Sequence, residues 1–265
     1  MDNILLISLH YYRQEEDKSK TFTPPPDIIP VNSLSLMQLA ALTPNSYKIT
    51  ALDNPKTINF DKDYDLVAIS SVTSSINDAY NISDEFRKRG IKVVLGGWHP
   101  SALPEEAKEH ADSVVIGEAE KTWNVLLRDI SNENIKEYYE QDSPVPSEDI
   151  SSPRRDIFKD ESPIASIQAV WGCPYGCEFC AITNSKFGNK PRFRPMDNII
   201  KEIRKIKQKY LFFCDSSFTI NPNYSKELFK NIKEFNKKLL MCNGNADVLA
   251  RDDEFLKLAS EAGCL

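Results

Sequence analysis

The segment Trp171-Gly-Cys-Pro-Tyr-Gly-Cys-Glu-Phe-Cys180 decides how the second half of this chain is interpreted. Its thiols, Cys173, Cys177 and Cys180, have the spacing C-x3-C-x2-C and follow an apolar run. Three thiolates can hold three irons of a 4Fe–4S cluster and leave the fourth iron open to a substrate or cofactor. A structural zinc site and buried thiols are the alternatives. Zinc usually takes four protein ligands in two pairs, and no second pair follows at a normal distance, so the spacing favours a cluster.

Strands and helices alternate on both sides of this cysteine loop. The predicted strands are Ile164–Val170, Tyr210–Cys214 and Leu239–Cys242, and the predicted helices are Asp197–Lys209, Ser225–Phe235 and Asp253–Ala262. This α/β pattern predicts the first half of a β/α (partial TIM) barrel over residues 164–265, with active-site groups at the carboxyl ends of its strands. Three β/α units cannot close a barrel. We therefore expect either a fragment of a longer protein or a barrel that another chain completes.

The first 130 residues show a second alternating pattern. Short runs rich in Val, Ile and Leu predict strands at Asn3–Leu9, Tyr47–Asp53, Asp65–Ser71, Lys92–Gly96 and Ser113–Gly117. The helices predicted between and after them are Leu34–Leu42, Ile76–Arg89, Pro104–His110 and Ala119–Asp129. Nearly all-apolar strands separated by helices indicate a parallel sheet covered on both faces, as in flavodoxin-like and Rossmann-like domains. Residues 131–163 are polar and rich in proline, which predicts a linker.

Composition narrows the function classes. The 33 basic and 39 acidic residues give a formal net charge of −6, which lacks the electrostatic footprint of a nucleic-acid-binding protein. The apolar run at the N-terminus is too short for a signal peptide or a membrane span. Because the three loop thiols must stay reduced, we expect a cytoplasmic location. The other cysteines, Cys214, Cys242 and Cys264, are predicted to be small buried hydrophobes rather than ligands.

Polar and glycine-rich segments follow three strands of the predicted sheet, where this architecture binds ligands. They are Ser70-Ser-Val-Thr-Ser-Ser75, Gly96-Gly-Trp-His-Pro100 and Gly117-Glu-Ala-Glu120. Glycine lets a large ligand approach the backbone, and hydroxyl groups suit a phosphate or ribose, although ordinary turn formation explains each segment alone. No G-x-G-x-x-G follows the first strand, so the dinucleotide fingerprint is missing. The candidate binding residues are Ser71, Thr73, Ser74, Gly96, Gly97, His99, Gly117 and Glu118.

Taken together, several segments resemble one family. They are PPPDIIPVNSLSLMQLAALTPNSYKITALDN, YDLVAISSVTSS, FRKRGIKVVLGGWHPSALPEEAKEHADSVVIGEAEKTW, PRRDIF, CPYGCEFC, FGNKPRFRP and the final EAGC. The chain resembles the radical S-adenosylmethionine enzymes that carry a cobalamin-binding domain, in the branch that includes the hopanoid methylases. The resemblance runs through almost the whole chain. It implies that residues 1–130 bind cobalamin between the carboxyl edge of their sheet and the mouth of the barrel.

The resemblance also implies roles for the cysteine loop. Cys173, Cys177 and Cys180 would hold a 4Fe–4S cluster, and the methionyl end of S-adenosylmethionine would chelate the open iron. The residue before the last cysteine is usually aromatic in this family and lies near the adenine, which here indicates Phe179. The implied cofactors are therefore a 4Fe–4S cluster, S-adenosylmethionine and cobalamin.

Further contacts to S-adenosylmethionine are expected at the ends of the barrel strands. The family usually has two acids after the second strand. Here Asp215 is the candidate to meet the methionyl ammonium or the ribose, whereas Ser216 replaces the second acid. Asn243 follows the third strand, where ribose or carboxylate contacts would fall, although such residues also cap helices. Arg192 and Arg194 either pair with the carboxylate of S-adenosylmethionine or brace the cysteine loop.

Two histidines are candidates near the cobalamin. Related domains of the methionine-synthase type supply an axial histidine from D-x-H-x-x-G, but this chain keeps only His10 of that pattern. Without the orienting acid and the glycine, His10 is predicted to be a loop residue rather than a ligand. His99 is the better functional candidate, and its alternative role is a hydrogen bond to backbone at the strand end.

The resemblance implies a cobalamin-dependent radical S-adenosylmethionine enzyme. It predicts a methyltransferase that acts on an unactivated carbon through a 5′-deoxyadenosyl radical, with catalytic residues that the sequence leaves unknown. Ring rearrangement and oxidation remain open, and the alternative is a non-catalytic or fragmentary corrinoid- and iron–sulfur-binding module. The expected partners are a small-molecule or lipid substrate and an electron donor of the flavodoxin or ferredoxin type, with no nucleic acid and no membrane span.

Overall fold

Six parallel strands form the sheet of the first of two units in the computed structural model. The structure describes residues 2–10, 31–158 and 162–264. Among these, the first unit comprises residues 2–10, 33–145 and 153–158, and the second comprises 31–32, 146–152 and 162–264. Part of the first segment quoted for the family resemblance, residues 24–30, lies outside the described residues.

The first sheet has the order β2-β1-β3-β4-β5-β6, and every pair in it is parallel. Its strands are β1 (Asn3–Leu9), β2 (Lys48–Asp53), β3 (Leu66–Ser71), β4 (Lys92–Gly96), β5 (Ser113–Ile116) and β6 (Tyr138–Glu140). The order of the first five strands is that of flavodoxin-like folds, as the alternation predicts. The fold places the carboxyl ends of β1, β3 and β4 side by side, because Ser8 pairs with Ser70 and Ser70 pairs with Gly96.

Helices cover both faces of this sheet. They are α1 (Leu34–Leu42), α2 (Ile76–Lys88), α3 (Trp98–Ala102), α4 (Pro104–Glu109) and α5 (Trp123–Ser131). Successive residues of a strand point to opposite faces. Leu5 and Ile7 of β1 accordingly join a core with Phe86 of α2, whereas Leu6 joins a second core with Trp123 of α5. The strands are buried on both faces, which explains their continuous apolar sequence.

The stretch predicted to be a linker contains a strand of the first sheet. Tyr139 in the middle of β6 is buried and its hydroxyl donates to Asp129 Oδ2 (2.9 Å), while Tyr138 and Glu140 on either side are exposed. A three-residue edge strand in polar surroundings carries too little apolar pattern to be recognised. The first unit therefore continues past residue 130, and the domain limits 1–130 and 164–265 remain predictions.

The second unit contains a parallel sheet of order β7-β10-β11 and a separate antiparallel pair, β8 with β9. Its strands are β7 (Ile164–Ile167), β8 (Val170–Trp171), β9 (Arg192–Phe193), β10 (Tyr210–Phe213) and β11 (Lys238–Met241). Its helices are α6 (Ala181–Asn184), α7 (Met196–Lys205), α8 (Pro222–Glu234), α9 (Ala246–Leu249) and α10 (Asp253–Glu261). The predicted strand Ile164–Val170 is thus divided in two, and the helix predicted to reach Lys209 ends at Lys205. Consecutive β/α units with parallel strands match the predicted start of a barrel.

The core of the second unit lies between its sheet and helices α7, α8 and α10. Ile199 and Ile203 of α7 are fully buried, as the helical spacing of the isoleucines predicts. Aromatic rings continue the core, with Phe229 stacked on Phe218 at 5.5 Å and edge-on to Phe255 at 5.1 Å. No helix within residues 2–10, 31–158 and 162–264 is long and apolar enough to cross a membrane.

Candidate functional site

The cysteine loop is closed at its base by backbone contacts that require glycine. Cys173 N donates to Gly188 O (2.7 Å), and Thr183 Oγ1 donates to Cys173 O (3.2 Å). Gly172 has φ +84°, and a Cβ there would lie 2.7 Å from Lys190 O. Only glycine fits such a close approach in the left-handed region. The start of the loop at residues 172–173 is therefore held against its end at residues 188–190.

The middle of the loop is gathered around a single side-chain amide. Asn184 Nδ2, at the end of α6, donates to the carbonyl oxygens of Cys177 (3.2 Å), Glu178 (3.0 Å) and Cys180 (2.8 Å). Asn184 is not among the site residues predicted from the sequence. A polar residue four positions after the last cysteine is a weak signal, because its partners are backbone groups brought together only by the fold.

The thiols of the loop remain accessible. Cys177 is exposed, Cys173 and Cys180 are half-buried, and none of them is in a disulfide. Phe179, expected beside an adenine, is 93% exposed. Three soft thiolates on an anchored loop with an open face are the donor set that an iron–sulfur cluster uses. Within the part of the chain that the structure describes, no three His, Cys, Asp or Glu side chains converge as a ready metal site.

Asp215 is buried and faces backbone rather than open space. Its side chain has no solvent exposure, and its carboxylate accepts hydrogen bonds from Ala169 N (3.0 Å) and from Val170 N. Burial raises the pKa of Asp215 to about 7, although the two backbone N–H groups and the charge of Arg194 lower it. Both oxygens of this carboxylate are turned toward the segment that leads into the cysteine loop, and its contact with the methionyl ammonium or ribose stays a prediction.

Arg194 is likewise buried, and its guanidinium is bonded to other protein groups. It is 1% exposed, its Nη2 donates to Glu202 Oε2 (2.8 Å) on α7, and its Nη1 donates to Gln168 O (2.8 Å). Of the two predicted roles, these contacts match the bracing of the loop. Arg192 lies over the ring of Trp171 at 5.3 Å, within the β8–β9 pair.

Asn243 connects the ends of β10 and β11. Its side-chain Nδ2 donates to the backbone oxygen of Asp215 (3.2 Å), and its backbone carbonyl oxygen accepts from Phe218 N (2.7 Å). Beside it, Asn245 Oδ1 accepts from Ser217 Oγ (2.8 Å) and Thr219 Oγ1 (2.9 Å). Asn245 also follows the third strand, where ribose or carboxylate contacts are expected, whereas Thr219 is not among the predicted site residues. Ser217, Thr219 and Asn245 belong to loops that come together only when parallel strands align.

In the first unit, the hydroxyl cluster after β3 divides into buried and exposed members. Ser71 is buried and its hydroxyl donates to Val72 O (3.2 Å). Thr73 and Ser74 are exposed on the turn that follows, so they present hydroxyl groups at the carboxyl edge of the sheet. His99 is 7% exposed, with Nδ1 3.2 Å from Thr73 Oγ1 and Nε2 3.3 Å from Glu106 Oε1. Both contacts are with side chains and not with backbone, so they differ from the alternative role, and the functional role of His99 stays a prediction.

The glycines at this edge of the sheet differ in their backbone φ angles and in the space available for a side chain. Gly97 has φ +97°, and a Cβ there would lie 2.6 Å from Ser71 O, so the β4 turn passes directly over the end of β3. Gly117 has φ +77° with open space around it, and Gly96 would accept a Cβ at ordinary contact distance from Val115. Glu118 accepts from Gln141 Nε2 (2.9 Å). The edge therefore combines a tight turn at Gly97 with an open one at Gly117.

His10 is held at the end of β1 by neighbouring side chains. Its Nε2 lies 2.8 Å from Asn54 Nδ2, and its Nδ1 lies 3.3 Å from Asp53 Oδ1. Burial lowers the pKa of His10, and it raises that of Asp53 to about 6. These contacts make His10 a structured loop residue, as the missing motif residues predict.

Two family models match the chain. One, described as the B12 binding domain, matches residues 55–127, and the other, the radical SAM superfamily, matches residues 170–265. The chain is 38% identical over 194 residues to bacteriochlorophyllide d C-8(2)-methyltransferase of Chlorobaculum tepidum, covering 69% of this chain and 42% of that protein. It is 31% identical over 247 residues to bacteriochlorophyllide d C-12(1)-methyltransferase of the same organism, covering 87% and 53%. The chain thus spans about half the length of these relatives.

A solved structure shares the fold. The radical S-adenosylmethionine methyltransferase TsrM from Kitasatospora setae, determined with its tryptophan substrate and a SAM analogue, aligns with a TM-score of 0.71. The alignment covers 100% of this chain and 58% of that one at 18% identity. A likeness at that identity establishes the arrangement of helices and strands, including the parallel sheet and the start of the barrel.

Proposed function

We propose that this chain, which belongs to the radical SAM superfamily, acts as a cobalamin-dependent radical methyltransferase. It carries a B12-binding domain ahead of its radical SAM domain, and it is homologous to bacteriochlorophyllide methyltransferases and hopanoid methylases. The reaction is methyl transfer to an unactivated carbon. The observation that carries the proposal is the anchored C-x3-C-x2-C loop with its open thiol face, in a chain that also has a B12-binding domain.

The two domains imply a 4Fe–4S cluster, S-adenosylmethionine and cobalamin as cofactors. When bound, these groups supply radical generation and the methyl group, and the protein contributes binding, orientation and exclusion of water and oxygen. We assign cluster binding to Cys173, Cys177 and Cys180. Phe179 is assigned to the adenine, because its ring stands free beside the last thiol.

Three further residues are assigned to support rather than to direct contact. Asp215 and Arg194 hold the backbone that enters the cysteine loop, and Asn243 holds the backbone carbonyl of Asp215. Because the carboxylate of Asp215, both Nη atoms of Arg194 and Nδ2 of Asn243 are bonded to protein groups, we propose that these residues position the S-adenosylmethionine site through that backbone.

For cobalamin, we propose the carboxyl edge of the first sheet. Thr73 and Ser74 are exposed there, with the Thr73 hydroxyl 3.2 Å from His99 Nδ1, and glycines let a broad ligand approach the backbone. The remaining members of this proposed edge are Ser71, Gly96, Gly97, His99, Gly117 and Glu118.

The substrate we propose is a small molecule or lipid, and the electron donor a protein of the flavodoxin or ferredoxin type. A reducing cytoplasm suits the chain because the cluster thiols must remain reduced. The rival proposal is a non-catalytic module that binds corrinoid and cluster without turnover.

Anaerobic reconstitution of the intact protein tests the proposal. We expect about four irons per chain with matching sulfide, and we expect Cys177→Ala to abolish this cluster. Cys214→Ser, which removes a thiol of the same unit outside the loop, is the matched control and should load normally. One tightly bound zinc without sulfide would contradict the cluster assignment. With the cluster loaded, reductive cleavage of S-adenosylmethionine to 5′-deoxyadenosine separates the enzyme from the rival, which predicts none.

A further inference from the structure

Two cysteines outside the cluster loop lie side by side in the second unit. The sulfur atoms of Cys242 and Cys264 are 3.7 Å apart, although the residues are 22 positions apart in sequence. Both side chains are half-buried, whereas the sequence predicted small buried hydrophobes. The two sulfurs need to approach by only about 1.7 Å to reach the ~2.05 Å length of a disulfide bond.

Backbone elements hold both members of the pair. Cys242 comes directly after β11, and the next residue, Asn243, is fixed by the bond from Phe218 N to its carbonyl oxygen. Cys264 comes after α10, where Gly263 adopts φ +82° and ends the helix. Cys264 N then donates to Ala259 O (3.0 Å), which closes the helix end. The pairing therefore follows from the fold and not from two flexible side chains meeting on a surface.

The two thiols differ in their acidity. The hydrogen bond from the Cys242 thiol lowers the pKa of Cys264 to about 7. The same hydrogen bond, together with burial, raises the pKa of Cys242. Thiolate is the reactive form of cysteine, so Cys264 is the better nucleophile and Cys242 the adjacent proton donor.

We propose that Cys242 and Cys264 form a dithiol–disulfide site that reacts with low-molecular-weight disulfides such as glutathione disulfide. The Cys264 thiolate attacks one sulfur of glutathione disulfide, whose S–S bond breaks and releases one glutathione thiolate. Cys242 then loses its proton, and its sulfur attacks the Cys264 sulfur, which releases the second glutathione. The two protein thiols lose two electrons and two protons, and one glutathione disulfide becomes two glutathione molecules.

The site is distinct in role from the cysteines of the cluster loop. Formation of the disulfide links the end of β11 to the segment after α10, next to Asn243 and hence next to the backbone of Asp215. This inference does not depend on the proposed methyltransferase activity, because it requires neither cluster nor cobalamin.

Thiol mapping of the intact protein tests the site. The protein is equilibrated anaerobically with glutathione buffers of increasing oxidised fraction, denatured in N-ethylmaleimide, digested and analysed by mass spectrometry. We expect a peptide pair joined through Cys242 and Cys264 that increases with the oxidised fraction and disappears in reduced glutathione. Two alkylated thiols, or two separate glutathione adducts, under the most oxidising buffer would overturn the proposal.

Single substitutions test the order of attack. Cys242→Ser removes the resolving thiol, so a glutathione adduct should accumulate on Cys264. Cys264→Ser removes the hydrogen bond that is the main cause of the raised pKa of Cys242 but leaves its burial. Cys242 should therefore still be modified at least about threefold more slowly in Cys264→Ser than Cys264 is in Cys242→Ser. Cys214→Ser is the matched control and should retain the linked peptide pair. Faster modification of Cys242 than of Cys264 would overturn the assigned roles. If a variant folds poorly, thiol mapping of the unsubstituted protein still tests whether the disulfide forms.

Discussion

The carboxylate of Asp215 accepts a hydrogen bond from the backbone N–H of Ala169, four residues before the first cysteine of the cluster loop. The next N–H, that of Val170, donates to the same carboxylate. One acid at the end of β10 thus fixes two consecutive peptide groups that follow β7, the neighbouring parallel strand. Because buried backbone N–H groups without partners destabilise a fold, this contact ties the start of the cysteine loop to β10.

The free energy of unfolding should depend on pH because the carboxyl group of Asp215 has a raised pKa in the folded protein. Its pKa is about 7 in the folded protein, above its ordinary value of 3.8, so the folded state binds the proton more tightly than the unfolded state. The free energy of unfolding should therefore fall, by an amount on the order of a few kcal/mol, as pH rises from about 4 to about 7, and then level off.

Urea denaturation of the wild type and Asp215→Asn across that pH range measures this contribution as a difference. The difference removes the titration of other groups, including Asp53. A wild-type advantage that grows with pH would contradict the prediction, since it would mean that Ala169, Val170 and Arg194 stabilise the anion more than burial disfavours it.

The buried pair of Arg194 and Glu202 should be costly to break. Both side chains are almost fully buried, and Glu202→Ala leaves a buried guanidinium without its carboxylate. We expect a loss of roughly 3–5 kcal/mol in the free energy of unfolding, measured by urea denaturation. The exposed pair of Lys233 and Glu261 provides the control, and Glu261→Ala should cost only about 0–1 kcal/mol. Equal effects of the two substitutions would show that the buried pair adds nothing beyond a surface contact.

Gly97 and Gly96 should respond differently to alanine. Gly97→Ala combines a left-handed backbone with a Cβ 2.6 Å from Ser71 O, which should cost roughly 2–5 kcal/mol. Gly96→Ala meets Val115 at ordinary contact distance, so it should change stability by less than about 1 kcal/mol. Thermal denaturation of both variants checks the contrast. If Gly97→Ala lowered the stability only slightly, the turn after β4 would have to shift away from β3 without loss of the fold.

Most of the fold could be predicted because its strands are local apolar patterns. Asn3–Leu9 and Lys92–Gly96 form strands with the predicted bounds, since both faces of a parallel sheet are buried and every residue adds to the signal. The pair Val170–Trp171 with Arg192–Phe193 was missed. A two-residue strand has no period to detect, and its pairing depends on the loop between its partners.

The candidate site was predictable where chemistry depends on spacing along the chain. Cys173, Cys177 and Cys180 stand in one short loop, so their grouping follows from sequence alone. The direction of a strand-end side chain does not. The sequence does not show that the carboxylate of Asp215 bonds to the backbone N–H groups of Ala169 and Val170, or that Asn184 donates to three carbonyl groups. Both outcomes depend on tertiary neighbours.

The histidines of this chain should leave the cobalt of bound cobalamin without a protein ligand. All three have partners: His10 contacts Asn54 and Asp53, His99 lies between Thr73 and Glu106, and His110 Nδ1 lies 2.9 Å from Asp84 Oδ2. To coordinate a metal through one ring nitrogen, His99 would have to break its contact with Thr73 or with Glu106, and the other contact would then orient the ring.

Electron paramagnetic resonance of the cob(II)alamin form checks this expectation in the intact protein. An axial nitrogen splits the cobalt signal, and labelling the protein with a heavier nitrogen isotope changes that splitting only if the nitrogen belongs to the protein. We expect identical spectra from labelled and unlabelled protein, and no change in His10→Ala or His99→Ala. An isotope-dependent splitting that His99→Ala removes would identify His99 as the axial ligand. The contact of His99 with either Thr73 or Glu106 would then have to open when cobalamin binds.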